Sequence, residues 1–274
     1  MTDNFFTGGT EPWLARLGNL RNVVRQELIT RQLTRHLPTP GRPLRILDVG
    51  AGQGTQALHL AAAGHAVTAV EPDARMRAAF SRGAAALPAQ TTSRITLLDG
   101  RLGDLARVAS PAAYDVVLCH GVLMYLPGSG PAVSELAGFV APGGVLSLVA
   151  RNGDAMAWRP AARHDWAAAL TMLDEIENAR VEARDAHYRN EIGVDARADT
   201  LAGLTAHCEA AGLVREAWYG IRVASDNVAL DQAPPPSGEL ATLLNVEERL
   251  GRTDPYRALG TLVHVVARRG PEHL

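Results

Sequence analysis

The residues best able to do chemistry lie close together in the chain. They are the glycines at 50, 52 and 54, the carboxylate of Asp48 just before them, and that of Glu71 further on. Glycine at the end of a strand lets the backbone turn tightly and approach a ligand where a Cβ would collide. An acidic residue that closes the next strand can accept both hydroxyls of a ribose diol. Asp48 stands two residues before the first glycine, where it can orient the loop or meet a cationic group. Together these residues describe a site for a nucleoside.

Two nucleoside chemistries share this plan. A nicotinamide dinucleotide fingerprint places its third glycine three residues after the second, which here is Thr55, whereas the third glycine is Gly54. With Asp48 ahead of it, Asp-Val-Gly-Ala-Gly-Gln-Gly followed by Glu71 resembles motif I of the class I S-adenosylmethionine-dependent methyltransferases. That resemblance implies S-adenosyl-L-methionine as cofactor. Gly50, Ala51 and Gly52 are then expected to cradle its amino-acid end and Glu71 to hold its ribose. Asp99, with the Gly100–Arg101 backbone beside it, is expected to take the adenine amino group.

Downstream, Tyr-Asp-Val-Val-Leu-Cys-His ends at His120, at the strand edge where α/β folds bind ligands. A histidine there can touch the cofactor or act as a base near neutral pH. Tyr125 follows, facing either substrate or core. Methyl transfer depends mainly on holding nucleophile and methyl together, and a carboxylate acceptor is already an anion that needs no base.

The elements that must position these groups are legible as periodicity. Residues 20 to 37 read as a helix with two apolar stripes that are not collinear, so it buries a wide face or kinks. Pro38, Pro40, Gly41 and Pro43 end it. Strands at 45–49, 66–70, 94–98, 114–119 and 144–150 then interleave with helices at 54–63, 73–86 and 131–139, the pattern of a parallel sheet covered on both faces. Residues 151 to 198 break the rhythm and suggest two helices, near 163–178 and 178–189. A helix at 199–211 stopped by Gly212, a strand at 213–223, a helix at 239–250 and a strand at 259–268 complete the chain.

The 274 residues, 47% of them hydrophobic, suit one methyltransferase domain over 1–274 with an N-terminal helical segment, 1–44, and an insertion, 151–198, serving as lid or substrate element. No signal pattern is expected at the N-terminus, and a cytoplasmic location without membrane attachment follows as the expectation. Cys119 and Cys208 are too few for a disulfide framework and lack metal-ligand spacing, so buried thiols and no metal are expected. The net charge is −2, and every basic residue is an arginine. Seven arginines and one acid fall in 14–45; ten acids and six arginines fall in 154–199. An acidic insertion works against phosphate binding, which keeps a small acceptor in view. Trp158, Trp166, His187 and Tyr188 within it can stack on a base, but anchoring the insertion is the more natural use.

A narrower resemblance runs over most of the chain. Asn-Val-Val-Arg-Gln-Glu-Leu (22–28), Cys-His-Gly-Val-Leu-Met-Tyr (119–125), Gly-Ile-Arg-Val-Ala-Ser-Asp (220–226) and Asp-Pro-Tyr-Arg-Ala-Leu-Gly-Thr-Leu-Val-His-Val-Val-Ala-Arg (254–268) are similar to the tRNA 5-carboxymethoxyuridine methyltransferases. The resemblance implies a Rossmann-like α/β fold of seven mostly parallel strands, the last antiparallel, with a helical insertion after strand five. It also implies cofactor contacts from Arg25 and His120, and methylation of a carboxylate on a tRNA wobble uridine. Arg222 and Tyr256 lie in these segments, either able to meet an anionic acceptor. Methylation of a small metabolite is the alternative function, and a non-catalytic S-adenosylmethionine-binding role the third.

Overall fold

In a computed structural model, the structure describes residues 9–271 except Pro40 and Glu191. Pro40 and the first eight residues of the N-terminal segment therefore lie outside the described residues. The chain opens with two helices, α1 (Thr10–Leu14) and α2 (Leu20–Thr34). The core then alternates: β1 (Arg45–Val49), α3 (Thr55–Ala62), β2 (Ala66–Val70), α4 (Ala74–Ala85), the short α5 (Ala89–Thr92), β3 (Ile95–Leu98), β4 (Tyr114–His120), α6 (Ser129–Ala137) and β5 (Val140–Arg151). The insertion follows as α7 (Trp158–Ala162), α8 (Trp166–Val181), β6 (Ala186–Arg189) and β7 (Asp195–Ala198). Helix α9 (Leu201–Ala210), β8 (Leu213–Ile221), α10 (Ser237–Leu250) and β9 (Leu262–Arg269) finish the fold.

Seven strands form one sheet in the order β3-β2-β1-β4-β5-β9-β8. All neighbours are parallel except those of β9, which runs antiparallel to both β5 and β8. The expected Rossmann-like sheet with a reversed final strand is therefore present. Its strands are apolar on both faces because both are covered. Leu47, Val117, Leu146 and Val265 face α6 and α9 in one buried cluster. Ile46, Val116 and Leu118 face α3 and Phe80 in a second, and Val149 and Leu262 meet α2 and α10 in a third. Among the described residues no helix is long and apolar enough to cross a membrane.

Helix α2 resolves its two-stripe pattern by burying a wide face in one uninterrupted helix: Leu20, Val24, Leu28 and Ile29, but also Arg21, Asn22 and Gln32. The Pro142–Gly143 segment falls just before the strand expected at 144–150. It lies inside β5 instead, where the pairing with β4 shifts from Tyr114↔Val140 to Val116↔Val145 and Gly143 takes φ +72°.

The insertion differs most from expectation. Its first expected helix, near 163–178, is present as α8 from Trp166, but a short α7 precedes it, with His164 at φ +61° between the two. The second expected helix, 178–189, is not one. Helix α8 ends at Val181, Ala183 enters the left-handed region, and Ala186–Arg189 pairs antiparallel with Asp195–Ala198. Asn190 shapes the hairpin turn by accepting from the amides of Ile192 and Val194, and Gly193 there has φ +78°. Trp166, expected as an anchor, is 67% exposed and stacks on His164.

Candidate functional site

A cavity of about 1150 Å³ opens over the carboxyl ends of β1, β2, β4 and β5, bounded by α2 and the insertion. Its floor is the turn after β1. Gly50 and Ala51 both donate to the Val70 carbonyl, tying the turn to β2. The three glycines have different reasons to be glycine. All take positive φ, but a Cβ on Gly50 would meet Val122 at 2.3 Å, and one on Gly54 would meet the Phe80 ring at 2.5 Å. Those two are packing positions. Gly52 has nothing within 4 Å of its missing Cβ and faces the cavity. It is therefore the glycine that leaves room for a ligand against the backbone.

Glu71 is buried and bridges two loops. One carboxylate oxygen accepts from the Gly52 amide at 2.8 Å and the other from the Asp73 amide at 2.8 Å. Burial raises its pKa, and the two amides act against that rise. Each oxygen keeps a lone pair for a further donor. Asp48 lies deeper, 4% exposed. Burial and then the neighbouring Glu71 raise its pKa to about 7. Opposite them, the Arg25 guanidinium reaches the His120 carbonyl at 3.4 Å and lies over the Trp13 ring. Desolvation first, then Arg222, lowers its pKa to about 10, so it stays charged at neutral pH. Its Nε is buried without a hydrogen-bond partner among the described residues. A crevice with an open backbone, a buried carboxylate and a buried guanidinium suits a ligand carrying both an ammonium and a carboxylate. S-adenosylmethionine has both, so the residues present fit it.

Of the expected contact residues, Arg25, Asp48, Gly50, Ala51, Gly52, Glu71, Arg101 and His120 all line this one cavity. Asp99 does not. Its side chain is 71% exposed and pairs with Arg77 of α4 at 3.0 Å, turned away by that ion pair. Tyr125 and Arg222 line the cavity, whereas Tyr256 stands 48% exposed on a short turn before β9, outside it. Tyr125 Oη accepts from Asn190 of the hairpin at 3.1 Å, and burial raises its pKa. His120 is held far below the ordinary histidine value, by burial first and then by His264 and Arg25. It is a neutral imidazole and not the base near pH 7 that its position suggested.

Beyond Arg222 and Tyr125, the other half of the cavity was not foreseen. Over the whole cavity nine arginines, Arg25 and Arg101 of the first half among them, line the walls against three carboxylates among the described lining residues. Arg21, Arg159 and Arg222 converge on the buried Asp226, at 2.7, 3.4 and 3.2 Å. Thr261 also donates to Asp226, at 2.7 Å. Burial would raise this carboxyl, but Arg222, Arg21 and Arg159 together hold it well below the usual carboxylate range. Arg222 sits at φ +57°, a conformation that costs a β-carbon-bearing residue energy and tends to persist at functional sites. The arginine-rich 14–45 segment thus divides by position. Arg16, Arg21 and Arg25 turn to the cavity, while Arg31 and Arg35 pair with Glu248 and Arg42 with Asp115. The available signal was Arg21, Asn22 and Arg25 on the same turns of α2 as its buried leucines.

Comparison with known proteins agrees with this geometry. Residues 47–146 match the family model described as a methyltransferase domain. Over 255 residues the chain is 27% identical to tRNA 5-carboxymethoxyuridine methyltransferase of Escherichia coli K12, covering 92% of this chain and 90% of that protein. It is 28% identical over 166 residues to a ubiquinone biosynthesis O-methyltransferase of Methylocella silvestris, covering 55% and 62%. In fold it is similar to magnesium protoporphyrin IX methyltransferase from Synechocystis, with TM-score 0.60, 17% identity and coverage of 97% and 96%.

Proposed function

We propose that this S-adenosylmethionine-dependent methyltransferase O-methylates a carboxylate on an anionic acceptor, and that the acceptor is a modified wobble uridine of tRNA. The observation that carries the reading is the arginine lining of the acceptor half, with Arg222 and Arg159 gathered on Asp226. Guanidinium groups bind carboxylates and phosphates through paired, charge-assisted hydrogen bonds. The size supports catalysis over mere cofactor storage: about 1150 Å³ exceeds what a drug-sized ligand fills, leaving space for an acceptor beside the nucleoside.

In this reading Glu71 takes the ribose hydroxyls, Asp48 the ammonium and Arg25 the carboxylate of the cofactor. S-adenosylmethionine supplies a methyl group already activated on a sulfonium. Arg222 and its neighbours align the acceptor carboxylate, and the insertion 151–198 roofs the site and excludes water. No residue is asked to remove a proton, which suits a neutral His120. The tRNA assignment draws on the relative of that name and on the extent of the match. A small carboxylic acid is the second reading, favoured by the exposed acids Asp174, Glu177 and Glu182 on the insertion's outer surface.

The test supplies purified protein with methyl-labelled cofactor and three acceptors: tRNA carrying 5-carboxymethoxyuridine, the same tRNA with plain uridine, and the free modified nucleoside. Base-labile label in the first alone supports the reading. Equal labelling of the nucleoside favours the small acceptor, and no label with cofactor binding intact ends both carboxylate readings.

A further inference from the structure

Behind His120 runs a row of polar side chains that this reaction does not use. His120 on β4, Ser147 on β5 and His264 on β9 occupy one face of three adjacent strands, and Gln32 of α2 closes the row. His120 Nε2 and Ser147 Oγ are 2.8 Å apart, Ser147 Oγ and His264 Nε2 2.8 Å, and His264 Nδ1 and Gln32 Oε1 2.8 Å. Ser147 and His264 are fully buried and Gln32 nearly so. Burying polar groups in such a core costs free energy that hydrogen bonds to one another offset, and the row leaves Gln32 Nε2 and His120 Nδ1 without a partner among the described residues.

Burial first, and then His36, lowers the His264 pKa to about 3, so this imidazole is neutral like His120. A neutral imidazole has one N–H and one lone pair, and a hydroxyl has one hydrogen to give. The row therefore has a single sense. Gln32 presents its carbonyl oxygen, so His264 carries its proton on Nδ1 and accepts on Nε2. Ser147 gives its hydrogen to His264 and accepts from His120. His120 consequently carries its proton on Nε2, and Nδ1 holds the lone pair. That Nδ1 is buried and has no partner among the described residues, on a side chain that lines the cavity.

We propose that Gln32, His264 and Ser147 are positioning residues that fix His120 as the Nε2–H tautomer, so that Nδ1 meets the bound ligand only as an acceptor. The group it selects is an N–H donor, a protonated amine or a base-type N–H, and it disfavours a carboxylate at that point. The inference rests on the cavity being the methyl-transfer site, but not on which acceptor fills it.

Long-range nitrogen–proton correlation spectra of the full chain, labelled with ¹⁵N-histidine at neutral pH, read the tautomers directly. His264 should appear protonated on Nδ1 and His120 on Nε2; the opposite pair of tautomers would overturn the proposal. Ser147→Ala removes the middle of the row without adding bulk. It should release His120 into a mixture of tautomers and weaken S-adenosylhomocysteine binding about tenfold, the scale of one buried hydrogen bond, with Ser147→Thr restoring both. Wild-type tautomers and affinity in Ser147→Ala would sink it. If that variant fails to fold, Gln32→Met gives the same spectroscopic test at the other end, and an unchanged His264 signal overturns the proposal equally. Tautomers are read without acceptor, so failure here and failure of the tRNA reading are separate results.

Discussion

The crevice over the turn after β1 and the space beneath the insertion belong to one cavity but are built differently. The first comes from consecutive residues: Gly50 to Gly52, with Asp48 below and Glu71 clasping two amides from the next strand. Its charges are the carboxylates of Asp48 and Glu71 with the guanidinium of Arg25, and much of its contact surface is backbone. The second gathers guanidinium groups from α2, the insertion and the turn after β8 around Asp226. A similar contrast divides the insertion itself. Arg159, Arg163 and Arg189 line the cavity, while Asp174, Glu177 and Glu182 point to solvent. Net charge averaged over a segment therefore misleads; the face that meets the ligand decides.

If the carboxylate half serves the cofactor alone, Glu71→Ala should have the largest effect. It leaves the Gly52 and Asp73 amides without their acceptor as well as losing the ribose contact, so S-adenosylhomocysteine binding by calorimetry should weaken about 100-fold, roughly 2.7 kcal/mol. Next, Arg222→Gln should lower kcat/KM for the acceptor about 30-fold, roughly 2 kcal/mol, with cofactor affinity within about twofold of wild type. A matching fall in cofactor affinity would erase the division between the halves.

The pH dependence follows from Asp48. In the free protein its carboxyl, raised from 3.8 to about 7, holds a proton that the unfolded chain gives up. Its contribution to stability therefore falls as pH rises from about 4 to about 7. A cationic ammonium beside it favours the ionised form, so cofactor binding should release a proton. Affinity should then rise with pH, by up to about tenfold per unit below its pKa. Titration calorimetry from acid to neutral pH measures this, and Asp48→Asn should flatten the profile. The smallest effect is expected outside. Asp174→Asn with Glu177→Gln should change the rate on tRNA by less than about twofold, because exposed charges are screened. A rate increase of several-fold would mean that phosphates meet the outer face.

How much could be read beforehand follows the same division. Strands β1 and β2 were legible to the residue because apolar runs, glycines and strand-end acids are local signals. The residues lining that crevice were legible with them, apart from Asp99, whose side chain turns to Arg77 of α4. The hairpin 186–198 was missed because its Ala186–Ala198 pairing is set by contact with the segment after β4: Arg197 donates to the Leu123 and Leu126 carbonyls. Apart from Arg222, named from a family-like segment, the acceptor half was opaque for a related reason. Arginine at 21, 159 and 222 has no spacing to recognise, and only the folded chain brings the three to one carboxylate.

That convergence bears on how the molecule comes into being. Segments far apart in the chain must all arrive before Asp226 is fully engaged, and its partner Thr261 lies 35 residues beyond it. On the proposed reading, a chain interrupted before Thr261 would carry the whole turn after β1 yet leave Asp226, at the acceptor half, without this partner.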